Sequence, residues 1–283
     1  MKLTILGSGT SHGVPVIACN CKVCRSHNKK DKRNRSSVYL QTDQGKYILV
    51  DIGPEFRIQA IKYKVNKVDA LLLTHSHADH FHGIDDLRIF SASCFKRSDK
   101  NASILDAPPI PVYTNKETIA DIKSRFSYFF VQPKEGGGHA KVTLNEASSS
   151  FMIGDTKITP IPMKHGSLNT TGWLFTEKGK SIAYLTDCSY IPEESFELID
   201  KNKEDLQELI IDGLREKPHS THFSFLQAME AAERIGAKNV WLTHLTHTHS
   251  HKETLQYVRE HLKDFPKLTR NVSPAWDGLV LKV

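Results

Sequence analysis

Four histidines and one aspartate fall within eight residues of LLLTHSHADHFHG, residues 71–83. They follow directly on an apolar run. Neutral imidazoles and carboxylates are the donors that zinc, manganese and iron accept. If the chain stays extended past the run, His75 and His77 point the same way. Asp79 and His80 then fall on the turn that follows. Two pairs of donors aimed differently fit two metal ions. A single ion could not take all four and keep a position open for water. His82 is surplus to this arrangement and reads as a bystander or a residue of the pocket rim.

A second cluster, Cys19-x-Cys21-x-x-Cys24, places three thiols in six residues. That spacing suggests zinc more than redox chemistry, and a closed structural site wants a fourth ligand. The stretch THLTHTHSH offers His247, His249 and His251. The chain has five cysteines, an odd count that argues against a disulfide framework. Cys94 and Cys188 have no such neighbours and are expected to be unliganded. His222 lies 22 residues before His244, at the start of a helical pattern over 223–236. Free N–H groups at a helix N-terminus favour anions, so His222 is a candidate general acid or phosphate donor. Nearby His219 reads as a helix-cap residue.

Short apolar strands must carry these residues. Candidates are 2–7, 37–42, 46–53, 69–75, 158–163, 171–176, 181–187, 208–213, 239–244 and 278–283. Helical patterning covers 56–64, 223–236 and 251–265, the last stopped by Pro266. Strands and helices alternate in both halves, which predicts a layered α/β architecture in one domain spanning 1–283. Three strands end alike, at Leu73-Thr74-His75, Leu185-Thr186-Asp187 and Leu242-Thr243-His244. Each delivers a ligand-capable side chain where an apolar strand leaves the core. The segment 91–150, with Pro108, Pro109, Pro111 and EGGGHA, reads largely as loops over the site, either a lid or a plain insertion.

The bulk numbers exclude rather than assign. The formal net charge of +6 over 283 residues suits an anionic substrate but does not argue for nucleic acid. No apolar run approaches a membrane span, and MKLTILGSG reads as a first strand rather than a signal peptide. A cytoplasmic location without membrane association is the expectation.

The order HSHADH after an apolar strand is the signature of the metallo-β-lactamase superfamily, which the chain resembles from end to end. The resemblance implies an αββα sandwich of two mixed β-sheets flanked by helices. It implies a first ion on His75, His77 and His165, and a second on Asp79, His80 and His244, with Asp187 bridging them. It also implies that Asp51, in LVDIG, orients ligands by hydrogen bonding. GSGTSHGVPVIACNCKVC, residues 7–24, resembles the opening of the PhnP-type phosphodiesterases. There three such cysteines bind a structural zinc with a histidine three residues past the last active-site ligand, which here is His247. The related protein of pyrroloquinoline quinone biosynthesis shares this opening. PhnP-type enzymes and the tRNA 3′-processing nucleases both place a phosphate-facing histidine at the spacing of His222.

Asp79 and His222 are accordingly the candidate catalytic residues. His12, in the glycine loop, is a weaker candidate for reaching substrate, and Asp277 for shaping the site. Two divalent ions about 3.5–4 Å apart, zinc or manganese with iron as a further option, can hold a hydroxide and polarise a phosphoryl oxygen. The implied function is hydrolysis of a small, cyclic phosphodiester such as 5-phosphoribosyl 1,2-cyclic phosphate, by a protein that dimerises. An RNA-processing nuclease of the tRNase Z type is the second reading, although no long glycine- and lysine-rich insertion is present to clamp tRNA. A zinc-stabilised binding protein without catalysis is the third.

Overall fold

The computed structural model describes residues 1–91, 108–131, 139–268 and 271–283. The first sheet holds β1 (Lys2–Gly7), β2 (Ser37–Gln41), β3 (Tyr47–Val50), β4 (Ala70–Leu72), β5 (Ile110–Thr114), β6 (Val142–Glu146) and β14 (Val280–Lys282). Its strand order is β14-β1-β2-β3-β4-β5-β6. The second sheet holds β7 (Phe151–Ile153), β8 (Thr156–His165), β9 (Leu168–Glu177), β10 (Lys180–Leu185), β11 (Leu206–Asp212), β12 (Asn239–Thr243) and β13 (Val272–Pro274). These run in the order β13-β12-β11-β10-β9-β8-β7. Each sheet joins an antiparallel half to a parallel half, β3 to β6 in one and β10 to β13 in the other.

Alternation along the strands explains the layers. Val38, Val50 and Leu72 of the first sheet face Trp173, Tyr184 and Ile210 of the second across a buried core. The opposite face of the first sheet packs under α1 (Phe56–Tyr63), α2 (Ala78–Phe81) and α4 (Lys116–Arg125). A short α3 (Arg88–Ser91) follows α2. The outer face of the second sheet packs under α5 (Glu193–Asn202), α6 (Phe225–Ile235) and α7 (His251–His261). This is the αββα sandwich that the resemblance implies. No helix among the described residues is long and apolar enough to cross a membrane.

Two sequence expectations need correction. The segment 91–150 is not mainly loop where it is described, because β5, α4 and β6 extend the first sheet there. Pro111 masks β5 in the sequence. Ile110 N–H bonds to Lys141 on the β6 side, so by alternation the missing N–H of Pro111 faces β4. The β4–β5 pairing starts only at Val112, so no ladder bond is lost. Any lid at 92–107 or 132–138 lies outside the described residues. The second correction concerns α6, which begins at Phe225. Ser224 caps it, its side chain accepting from Gln227 N–H, so neither His222 nor His219 is the cap.

Pro160 and Pro162 sit inside β8 for a similar reason. Lys164 N–H turns away from β9 to Tyr190, and residues of the same parity share that edge. β7 pairs only with the stretch from Thr156 to Ile158, so both prolines face an edge it does not cover.

Candidate dinuclear metal centre

The carboxyl ends of the parallel strands converge. β3 leads into Asp51, β4 into His75, β10 into Asp187 and β12 into His244, while Asp212 ends β11. His165 is the last residue of β8 rather than a residue beyond it. The structure thereby brings together all seven residues singled out for two ions. His75, His77, His165 and Asp187 each offer one donor atom within 4.8 Å of the others. Asp79, His80, Asp187 and His244 form a second such group, so Asp187 belongs to both. Asp187 Oδ2 lies 3.2 Å from Nε2 of His80 and of His244, and 3.9 Å from Nε2 of His75. Bonds of about 2.1 Å around a tetrahedral ion space its ligands about 3.4 Å apart, so these separations fit a metal.

The imidazoles are aimed by what holds their other nitrogen. His80 Nδ1 donates to Asp51 Oδ2 at 2.8 Å. Thr74 gives its N–H to Asp51 Oδ1 at 2.9 Å and its hydroxyl proton to the same carboxylate. With that proton committed, Thr74 Oγ1 accepts from His75 Nδ1 at 2.9 Å. His165 Nδ1 donates to the Thr221 carbonyl at 2.6 Å. His75 and His165 thus present a lone pair at Nε2, and the bond to Asp51 leaves Nε2 of His80 as the atom that faces the donor group. The Nε2 atoms of His75, His80 and His244 are buried without an aligned hydrogen-bond partner among the described residues. Buried polar atoms rarely stay unpaired, and one cation in each donor group would satisfy them, His75 in the first and His80 and His244 in the second.

Backbone constraint completes the aim. Asp51 and His244 adopt left-handed φ of 58° and 59°, a costly geometry for residues with side chains that clusters at functional sites. A Cβ on Gly53 would meet the Asp79 carbonyl at 2.2 Å, so only glycine lets this loop press against α2.

Electrostatics favour a cation. Burial pushes His75, His77 and His165 below the usual imidazole range, leaving them neutral. Burial acts the same way on His80, but the carboxylates of Asp187, Asp79 and Asp51 outweigh it and raise its pKa. Burial would also neutralise Asp187 and Asp79. His244 and His80 beside Asp187, and His80 beside Asp79, overcome that and keep both carboxyls ionised.

His222 stands at the edge of this centre, its ring stacked 4.6 Å from His244 and edge-on 4.4 Å from His165. Its Nδ1 donates to Asp212 Oδ2 at 2.7 Å, and the Cys188 N–H donates to the same oxygen at 2.8 Å. Burial lowers the pKa of His222, and Asp212 more than restores it, so the net direction is upward. Sequence reasoning missed Asp212. Its one local trace is that an apolar strand ends in an acid, as at Asp51; nothing near it in the sequence points to His222. His82 is exposed and packs edge-on against Phe81 and Phe126, outside both donor groups.

The cysteine cluster closes on one histidine. Nδ1 of His247 lies 3.4 Å from Cys19 and Cys21 Sγ and 3.5 Å from Cys24 Sγ. A tetrahedral zinc with mixed sulfur and nitrogen ligands spaces these atoms about 3.6 Å apart. The competing histidines are engaged elsewhere. His249 faces Glu216 at 3.4 Å, and His251 is buried against Trp276. The Cys24 amide holds the Cys21 thiol down to about 6, which favours the thiolate, while burial pushes Cys24 up to about 11. Buried Arg33 donates to the carbonyls of Thr246 and His249, pinning the loop that carries His247.

His12 turns to the Gly13 carbonyl and lies 5.4 Å from the His247 ring, beside the cysteine cluster. Asp277 ties the first loop together, accepting from Ser8 N–H, Ser8 hydroxyl and Asn34 N–H. Cys188 is buried, and Cys94 lies outside the described residues.

A family model described as the beta-lactamase superfamily domain matches residues 46–245. An octanoyltransferase of Porphyromonas gingivalis is 35% identical over 266 residues, which cover 93% of this chain and 49% of that one. The chain therefore spans about half the length of that curated relative. The crystal structure of a new diphosphatase from the PhnP family superposes with a TM-score of 0.81 at 35% identity, covering 100% of this chain and 97% of that chain. Zinc-bound PqqB from Methylobacterium extorquens superposes with a TM-score of 0.77 at 18% identity over 100% of both chains, a likeness of fold.

Proposed function

The chain belongs to the beta-lactamase superfamily and, within it, to the PhnP family of metal-dependent hydrolases acting on phosphodiesters, and from that premise we propose that its substrate is a small cyclic phosphodiester of the 5-phosphoribosyl 1,2-cyclic phosphate type. The observation that carries this reading is the pair of buried donor groups sharing Asp187, with the His222–Asp212 pair beside them.

In this reading His75, His77, His165 and Asp187 hold one divalent ion, and Asp79, His80, His244 and Asp187 hold the other. Cys19, Cys21, Cys24 and His247 hold a structural zinc. When bound, the two active-site ions neutralise phosphoryl charge and make water nucleophilic near neutral pH. The chain does the rest. Asp212 fixes the His222 tautomer and stabilises its protonated form. His222 then protonates the departing alkoxide, a role that contributes typically about 10²–10⁴-fold in rate. Asp51 and Thr74 keep His80 and His75 aimed throughout. Octanoyl transfer is not carried over, because the chain matches only half of that relative. A diphosphate linkage is the second substrate class, favoured by the 35% identity to a diphosphatase.

The test is a panel of purified, metal-loaded protein with 5-phosphoribosyl 1,2-cyclic phosphate, bis(p-nitrophenyl) phosphate, a dinucleoside diphosphate and a precursor tRNA. The cyclic ester is expected to turn over with the highest kcat/KM. Preferred cleavage of the precursor tRNA would replace this reading with the nuclease one. No turnover of any of them would favour a binding protein.

A further inference from the structure

The loop between β11 and α6 holds a second imidazole that the chemistry above leaves unused. His219 is exposed, and its ring lies 5.4 Å from that of His222. The Thr221 amide donates to His219 Nδ1 at 3.3 Å, and the Thr221 hydroxyl lies 3.1 Å from the same atom. A ring nitrogen that accepts an amide proton carries none of its own. Neutral His219 therefore keeps its hydrogen on Nε2, across the ring from this anchor.

The anchor is itself tied to the metal centre. The Thr221 carbonyl accepts from His165 Nδ1 at 2.6 Å, and a Cβ on Gly166 would meet Thr221 Cγ2 at 2.8 Å. Three consecutive residues thus set His219 at a fixed place relative to both His165 and His222. An exposed histidine with only a solvation role needs no such fixing.

The exposed charge on its own loop is mainly cationic, and Asp212, the buried acid that acts on it, is taken up by His222 and the Cys188 N–H. Residues 215–219 bring Arg215 and Lys217 to the same loop, with the Arg215 guanidinium held by the Lys217 carbonyl at 3.3 Å. The one acid of the stretch, Glu216, turns to His249 at 3.4 Å instead. A fixed N–H donor in a cationic rim, one ring away from the histidine facing the scissile group, suits a second anion on the substrate.

We propose that His219 Nε2–H docks an anionic group of the substrate that is not cleaved, a phosphate one sugar unit from the phosphoryl group that is. The assignment rests on the phosphodiesterase reading. It makes His219 a residue that selects the substrate, distinct from His222, which acts on the departing oxygen.

The experiment compares ribose 1,2-cyclic phosphate with and without a 5-phosphate, in wild type, His219→Ala, His219→Gln and Thr221→Val. Wild type is expected to prefer the phosphorylated ester. In His219→Ala the ratio of the two kcat/KM values falls about tenfold or more, chiefly through KM, as expected for loss of one charge-assisted hydrogen bond. His219→Gln keeps an N–H and recovers part of the ratio. Thr221→Val keeps the carbonyl under His165, loses the hydroxyl anchor, and lowers the ratio by a smaller factor. Inhibition by ribose 5-phosphate weakens in the same order. An unchanged ratio and unchanged inhibition in His219→Ala would overturn the proposal while leaving the phosphodiesterase reading standing. A wild type that hydrolyses neither ester would remove that substrate, and this assignment with it.

Discussion

Two imidazoles, His80 and His222, are each backed by a buried aspartate, and removing the two aspartates should do different things. Asp51→Asn disturbs an aiming contact of a proposed ligand. It is expected to weaken metal binding by about 10–100-fold, with activity recovering as metal is added. Metal titration followed by turnover checks this. Asp212→Asn leaves all seven proposed ligands in place and strips His222 of the charge that favours its protonated form. There kcat is expected to fall by about 10²-fold with metal content unchanged. Rescue of Asp212→Asn by excess metal would contradict the assignment. The two aspartates were not equally legible. Asp51 stands next to the motif strand and a family pattern points at it. Asp212 finds its partner only because a loop folds His222 back over the end of β11, a tertiary contact with no local signature.

At the scale of elements, close approach and burial set the outcomes. Gly53→Ala would drive a methyl group into the Asp79 carbonyl, so α2 must shift. A loss of about 2–4 kcal/mol of stability together with one active-site metal is expected, read by denaturant unfolding and metal analysis. His251 begins α7, and burial with nearby Lys30 and Arg33 lowers its pKa from 6.5 to about 4. The unfolded chain therefore binds a proton between those values that the folded one refuses. Stability from this group is present above pH 6.5 and is lost as pH falls through 6.5 toward 4. His251→Leu should lose less Tm than wild type between pH 7 and pH 5, by a few degrees. An identical fall in both proteins would show that His251 does not titrate this way. Most strands were readable from apolar runs ending in Gly, Pro or polar residues. β5 was not, because Pro111 disguises a strand whose missing N–H falls where pairing has not begun. β7 and β13 are three-residue edges, too short to stand out by alternation.

For the whole molecule, two sheets hold six strand ends at one rim, and their distance along the sequence from Asp51 to His244 is bridged only by folding. The His75–His80 motif and the cysteine cluster were visible because their members are neighbours in the chain. The choice of His247 over His249 and His251 came from the family pattern, and His247 is the ring that lies against the three thiols, because Arg33 fixes that loop while the other two rings are held elsewhere. Cys24→Ala is expected to cost one metal equivalent and several degrees of Tm while sparing the donor groups around Asp187. Retention of all metal in that variant would count against the structural site. Dependence of turnover on a pair of ions sharing Asp187 is read by adding zinc or manganese stepwise to chelator-stripped protein and following bis(p-nitrophenyl) phosphate hydrolysis against bound equivalents. Three bound equivalents, no turnover in the stripped protein, and activity that rises as the two sites around Asp187 fill are the expected results. Turnover that persists without metal, or a protein holding all three ions and inert toward the ester, would contradict it.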